Sequence, residues 1–391
     1  MNDSTQGAGV TLANWRQAPW NRWAFHHVPE VLPVMRIAHD PARVSVLPKA
    51  PRDIGALAFT GPDGAQRTTA SLLPETATDG FLVLHKGRIA FEWYGNGLTP
   101  SDPHIVFSVS KSITGILAGI LVERGQLDPD APAARYIPEA LGSAYGDCTV
   151  RHVLDMTVGI AFAEDYLDLT GDFARYRAAT GWNPLDNPAL AMDLRTFLVT
   201  LRRDANPHGA KFHYVSPNSD LLGWILERAG GLPYARLLTE LLWSRLGTEA
   251  DAHVTVDRLG AARSAGGICV ALRDLARFGE MVRNFGRVGD QQIVPRRWIE
   301  DILQNGDQGA WLATETAARF LPQGRYRTQW YMIGNPSGAH CAVGIHGQWI
   351  YIDPVAEMVI AKLSSQPLPL DEATDHLLLA AFAAIADALR A

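Results

Sequence analysis

Strand patterns at both ends of the chain enclose a helical middle, and this distribution restricts the fold more than any other feature. Near the start, FLVLHKGRIAFEWY (residues 81–94) reads as two strands turned at Lys86-Gly87. Near the end, WIYIDPVAEMVIAKLSS (residues 349–365) reads as two more around Asp353-Pro354, followed by an Ala- and Leu-rich helix from Asp371 to Ala391. Between them, Ser108 to about Arg124 carries Val109, Ile113, Ile116, Leu117, Ile120 and Leu121 at helical spacing, with Gly125 closing the helix. Val150–Met156, Leu194–Leu201 and Asp220–Ala229 read as shorter helices. The expected fold class is α/β, with a sheet built from residues 1–104 and 266–391 and a mainly helical domain at 105–265. Such an insertion places a cleft at the domain boundary, where sites tend to form.

The bulk properties exclude several functions. A chain of 391 residues with 47% apolar and 19% charged residues has the balance of a soluble globular protein. A net charge of -6, with both signs interspersed, offers no footprint for nucleic acid or an acidic membrane. Cys148, Cys269 and Cys341 are odd in number and far apart, which suggests neither a disulfide framework nor a cysteine zinc site. The opening MNDSTQGAGVTLANW lacks a basic region followed by an apolar core, so the expected location is the cytoplasm.

The stretch FSVSKSITG puts Ser108 three residues before Lys111 at a helix start. Residues i and i+3 share a helix face, so the lysine can reach back to the serine hydroxyl. A serine needs an adjacent base to act as a nucleophile, and burial or neighbouring positive charge can hold a lysine neutral. The same pattern also fits an ordinary serine cap. A second element, FHYVSPNSDLLGWILERAGG (residues 212–231), places Tyr214 ahead of a turn, Ser216-Pro217-Asn218, which opens a helix capped by Asn218 or Ser219. Tyr214 could exchange a proton there; a tyrosine before a helix also serves as core packing. In a third, CAVGIHGQWIYIDP, Gly344 and Gly347 bracket Ile345-His346, a strand edge able to offer a backbone N–H to an oxyanion.

Together these elements resemble the serine β-lactamase and penicillin-binding-protein superfamily, for which Ser-x-x-Lys is a signature. TVRHVLDMTVGI (149–160), ARSAGGICVALRDLARFGEMV (262–282) and IVPRRWIEDIL (293–303) resemble blocks of its class C-like branch, and WRQAPWNRWAFHHVPEVLP resembles the leader of the 6-aminohexanoate-dimer hydrolases and related carboxylesterases. The resemblance implies a central antiparallel sheet flanked by helices, with Ser108 as acylated nucleophile, Lys111 as its base and Tyr214 as proton donor to the leaving group. It also implies an oxyanion hole from the backbone N–H groups of Ser108 and Ile345. Tyr166 matches a tyrosine of the loop that covers substrate, and Trp182, Trp330 and His346 are candidates to line the pocket. The chemistry needs no metal and no cofactor.

Departures from the pattern bear on substrate. Ala342-Val343-Gly344 stands where β-lactam-binding relatives have Lys-Thr-Gly, which disfavours penicillin recognition. Arg177 stands where amide-cleaving relatives hold a substrate ammonium with an acidic residue; Asp172 is the substitute if the loop is shifted. Ser216-Pro217-Asn218 has the Ser-x-Asn form used elsewhere in the superfamily, so Ser216 competes with Tyr214 as proton shuttle. The expected function is hydrolysis of small carboxylic esters, and of linear amides of the 6-aminohexanoate type, through an acyl-enzyme. A β-lactamase or D-amino-acid peptidase, or a silent ligand-binding protein on the same fold, is the alternative. The expected partners are small molecules rather than nucleic acid or membrane, with a homodimer left open.

Overall fold

A computed structural model describes residues 7–185 and 192–391. Seven strands form the main antiparallel sheet: β1 (Thr78–His85), β2 (Arg88–Tyr94), β3 (Arg325–Arg327), β4 (Trp330–Met332), β5 (His340–Gly344), β6 (Gln348–Asp353) and β7 (Met358–Ser364). Their spatial order is β3-β4-β5-β6-β7-β1-β2, so β7 from one end of the chain pairs with β1 from the other, with Ile360 opposite Val83. The first hairpin turns at Lys86 (φ 52°) and Gly87 (φ 71°), the two left-handed residues that a tight antiparallel turn requires.

The sheet is covered on both faces, so its central strands read as continuous apolar runs rather than alternating ones. Leu82, Leu84, Ile350, Ile352 and Val359 face a helix at Leu272–Arg283, where Leu275 and Phe278 meet them. Phe81, Val83, Trp349, Tyr351 and Ile360 point the other way, into the C-terminal helix Glu372–Arg390 and its Leu378, Phe382 and Ile385. At about 25 cal/mol per Å² of apolar surface, each fully buried residue of this kind contributes roughly 1.5–3 kcal/mol.

Two helices govern the site: α1 (Val109–Glu123) and α2 (Ser216–Gly230), which pack against each other. Every residue of α1 from Val109 to Leu121 is buried, which explains its wide apolar face. A Cβ at Gly115 would sit 2.4 Å from the Thr328 carbonyl oxygen, so glycine is what lets α1 approach the sheet side this closely. The second helix begins at Ser216 rather than at the Asn218 or Ser219 cap expected from the sequence. Pro217 is the reason, since its fixed φ suits the first helical turn and needs no N–H partner there.

A second sheet orders Val34–Ile37, Ala252–Thr255, Ile268–Val270 and His104–Ile105. The segment expected to be mainly helical therefore also contributes a strand, Ala252–Thr255, paired with Val34–Ile37. Four residues are too few for an alternating pattern to stand out. Among the described residues, no helix is long and apolar enough to cross a membrane.

Candidate active site

The chain leaves the strand His104–Ile105 and turns into α1 through Phe107, whose φ of +42° is unusual for a bulky residue. Tight packing holds it there: the Phe107 ring meets Phe25 (4.9 Å between centroids), Trp182 (6.0 Å) and Trp15 (6.4 Å). Ser108 follows as the first residue of the helix approach, and its hydroxyl makes no capping bond. It is thus left free for chemistry rather than spent on the helix end.

Lys111 Nζ has three neighbours: Ser108 Oγ at 2.9 Å, Ser216 Oγ at 3.0 Å and the Ala265 carbonyl at 2.7 Å. Ala265 O can only accept. Ser216 Oγ donates its own proton to Glu164 Oε1 at 2.6 Å, so towards Lys111 it too accepts. If Lys111 is neutral, two of its N–H bonds are committed to these acceptors, and its lone pair is left for the Ser108 hydroxyl. Burial lowers the Lys111 pKa from 10.5 to about 7; Arg263 adds to this, while Glu164 and Asp220 oppose it. Near neutral pH about half of the lysine is then able to accept a proton.

The surroundings fix this arrangement. Asp220 pairs with Arg263 in the interior and accepts from the Ala265 N–H at 2.7 Å, which aims the Ala265 carbonyl at Lys111. Glu164 accepts from the Tyr166 hydroxyl at 2.6 Å and from both the hydroxyl and the backbone N–H of Ser216. Glu164, Asp220 and Arg263 were not singled out from the sequence. Glu164 lies two residues from Tyr166 in AEDYLD, but nothing local marks a carboxylate that finds its partner 52 positions later.

Across from Ser108 lies the end of β5. A Cβ on Gly344 would come within 2.5 Å of the Val106 carbonyl and 3.1 Å of the Ser108 nitrogen, so only glycine permits this contact. The close approach brings the backbone of Ile345 beside that of Ser108. Neither of their N–H groups donates to another group among the described residues. Two unspent donors at the N-terminus of a helix suit an oxyanion.

Tyr214 lines the cavity beside Ser108 and Tyr331. Its ring lies 4.9 Å from Lys111 Nζ and stacks on Tyr331 at 6.4 Å. Burial, then the Glu164 charge, pushes its phenol well above the ordinary range, so it stays protonated. Tyr214 and Ser216 occupy different places: Tyr214 lines the wide cavity beside Ser108, whereas Ser216 lines a smaller recess on which Ser108 also borders, its hydroxyl bonded to Lys111.

A cavity of about 410 Å³ opens from Ser108, walled by Tyr166, Phe212, Tyr214, Trp311 and Tyr331. A smaller recess on the other side of Ser108 holds Arg177 and Trp182. Tyr166, Arg177 and Trp182 therefore gather around the serine. Trp330 does not: it is fully buried against Phe278 (6.3 Å) and His340 (5.8 Å), because its position in β4 turns it into the core. His346 is likewise drawn away, buried against Phe25 and Phe107 with Nδ1 2.7 Å from the Gln366 carbonyl; burial lowers its pKa to about 4. Asp172 forms a surface ion pair with Arg175 at 2.8 Å and lines neither cavity.

Comparison with known proteins identifies the family. The family described as Beta-lactamase matches residues 67–385. A protein named 6-aminohexanoate-dimer hydrolase, from Paenarthrobacter ureafaciens, is 38% identical over 359 residues, covering 92% of this chain and 89% of that protein. Among solved structures, a putative 6-aminohexanoate-dimer hydrolase from Bacillus anthracis superposes with a TM-score of 0.90 at 28% identity, covering 97% of each chain. A family VIII carboxylesterase shares the fold, with a TM-score of 0.58 at 15% identity over 81% of this chain and 95% of that one. The chain belongs to the beta-lactamase family and is a serine hydrolase.

Proposed function

We propose that this enzyme hydrolyses small carboxylic esters and unbranched amides by acylation of Ser108. The substrate carbonyl oxygen sits between the N–H groups of Ser108 and Ile345. Ser108 Oγ attacks the carbonyl carbon as its proton passes to neutral Lys111. Tyr214 then gives its phenolic proton to the departing oxygen or nitrogen, and the proton held by Lys111, whose Nζ lies 4.9 Å from the Tyr214 ring, passes to the phenolate to restore it. A water repeats the sequence in reverse to release the acid and regenerate Ser108.

One observation carries this reading: the three contacts of Lys111, two with acceptors whose direction is fixed and one with Ser108. They support a lysine lone pair directed at the serine without any further rearrangement. Ser216 then orients Lys111, and Tyr214 serves the leaving group. Ester cleavage needs less from Tyr214 than amide cleavage, because an alkoxide leaves more readily than an amine anion.

The test is turnover of ethyl hexanoate and of the linear 6-aminohexanoate dimer by the wild type and by Ser108→Ala. We expect ester hydrolysis to fall by about 10³-fold or more in the variant. A fluorophosphonate should label the wild type at Ser108 alone. Undiminished turnover in Ser108→Ala, or labelling at another serine, would sink the assignment.

A further inference from the structure

The wide cavity at Ser108 carries charge that the chemistry of acyl transfer does not use. It has about 410 Å³ of room, whereas the recess on the other side of Ser108, at about 20 Å³, holds roughly one water. The space for a substrate is therefore in the wide cavity. Tyr214 lines that cavity and not the recess, so the leaving group it protonates belongs there.

Five charged side chains line the wide cavity: Glu164, Arg319, Asp371, Glu372 and Asp375. Glu164 has both oxygens engaged by Tyr166 and Ser216. Arg319 is matched by Glu372, its Nε donating to the two carboxylate oxygens at 2.8 and 3.1 Å. Asp371 caps the C-terminal helix, accepting from the N–H and the hydroxyl of Thr374 at 3.1 and 2.8 Å. Asp375, one turn further along that helix, has no hydrogen bond or ion pair to its carboxyl among the described residues. Lys362, the positive charge that acts on it most, donates instead to the Ser364 hydroxyl and the Gly347 carbonyl.

An enclosed carboxylate without a partner is costly, and a cation beside it removes that cost. Burial raises the Asp375 carboxyl to about 7; Lys362 opposes this, and Asp371 and Glu372 add to it. A bound cation would favour its ionised form. An anion in the same place would face Asp371 and Asp375, with Arg319 already matched. The rest of this wall is aromatic: Tyr331 meets Phe320 and Trp311 edge to face, at 6.1 and 6.0 Å between centroids. Ring faces attract ammonium groups, quaternary ones included, and also accept an alkyl chain.

We propose that Asp375 and the aromatic wall beside it form a subsite for a cationic leaving group, so that the preferred substrates are esters and amides of linear amino alcohols and diamines whose far end is an alkylammonium. This rests on the reading of Ser108 as nucleophile. It disfavours a leaving group that ends in a carboxylate, as that of the linear 6-aminohexanoate dimer does.

The experiment compares acetate esters at pH 8 whose leaving alcohols end in trimethylammonium or in its uncharged isostere, tert-butyl, on linear chains of two, four and six carbons. Acetate keeps the acyl half small, so that the leaving group alone reaches along the cavity. In the wild type kcat/KM should favour the cation by about tenfold at one or more lengths. Asp375→Asn should bring that ratio to near one, and Asp375→Glu should keep most of it, a rescue that a merely structural role would not give. Reading the ratio within each variant cancels any loss common to both esters. Calorimetric titration of hexyltrimethylammonium into full-length Ser108→Ala reads the same subsite without turnover, and binding should weaken by about tenfold when Asp375→Asn is added. Turnover of both ester series with a ratio near one at every length would overturn the subsite and leave Ser108 standing. Hexyltrimethylammonium binding lost on replacing Asp375, with no ester turned over by the wild type, would support the subsite and overturn the reading of Ser108.

Discussion

Two lysines in this protein are buried, and both have pKa values lowered by burial to about 7, yet their surroundings prepare them for different roles. One of the three neighbours of Lys111 is the hydroxyl of Ser108, the residue from which the cavity opens. Lys362 lies in β7, bonded to the Ser364 hydroxyl and to the Gly347 carbonyl at 3.3 Å, with the charges of Asp79 and Asp375 near it. Neither of these bonds reaches Ser108. The difference teaches that a lowered lysine pKa marks burial, and that only the third neighbour makes a base.

Removing each lysine is the direct way to break this comparison. Lys111→Met should cut kcat/KM for ethyl hexanoate by about 10³-fold, since the serine loses its proton acceptor. The wild-type profile should show kcat/KM falling as pH drops through about 7, where Lys111 becomes charged. A pH-independent rate between 5 and 9 would show that Lys111 is not the base.

The groups around Lys111 sharpen the comparison further. Tyr214→Phe should slow amide hydrolysis by about 10²-fold and ester hydrolysis by about tenfold, because the amine depends more on the donated proton. Equal losses on both substrates would assign the leaving-group proton to another residue. Glu164→Gln should lower kcat by about tenfold through a loosened Ser216. It should also move the acid limb of the pH profile downward, because the Glu164 charge raises the Lys111 pKa and its removal lets burial act with less opposition. A limb that stays in place would make Glu164 a packing residue only.

The sequence reached the parts of this molecule whose partners lie close by in the chain. The Lys86-Gly87 hairpin, the apolar face of α1 and the Ser108–Lys111 pairing all depend on neighbours within one turn or one strand. The layer behind Lys111 depends on separations of 43 to 154 residues, as in Arg263 with Asp220 and Lys111 with Ala265, and no local pattern records them. Trp330 and His346 show the opposite failure. The family resemblance made Trp330 a pocket candidate and two flanking glycines drew attention to His346, but strand register turned the first into the core and a left-handed backbone at φ 60° tucked the second beneath the Gln366 carbonyl. The cap of the helix at Ser216 is Val215, three to four residues before the expected Asn218 or Ser219, because Pro217 belongs to the first helical turn rather than to a turn ahead of it.

Lys362→Met is expected to have the smallest effect on activity, with kcat/KM within about threefold of wild type, since the side chain touches nothing that reacts. Its signature is in stability. In the folded protein Lys362 loses its proton near pH 7, whereas in the unfolded chain it stays charged until about 10.5. Between those values the unfolded state binds more protons, so the Lys362 contribution to stability rises with pH across that window and is flat below it. Replacing the lysine with methionine removes this rise, and the stability of wild type relative to the variant should climb from pH 7 to 10. Asp375, whose carboxyl is held up at about 7 mainly by burial and is lowered by Lys362, acts in the same direction. Without the lysine its pKa moves higher, so the variant alone keeps losing stability as that carboxyl ionises. Denaturant melts of both proteins at pH 7, 8.5 and 10 measure the difference. A constant gap would mean that Lys362 keeps its proton in the folded protein, paired with Asp375, and that burial has not neutralised it as it does Lys111.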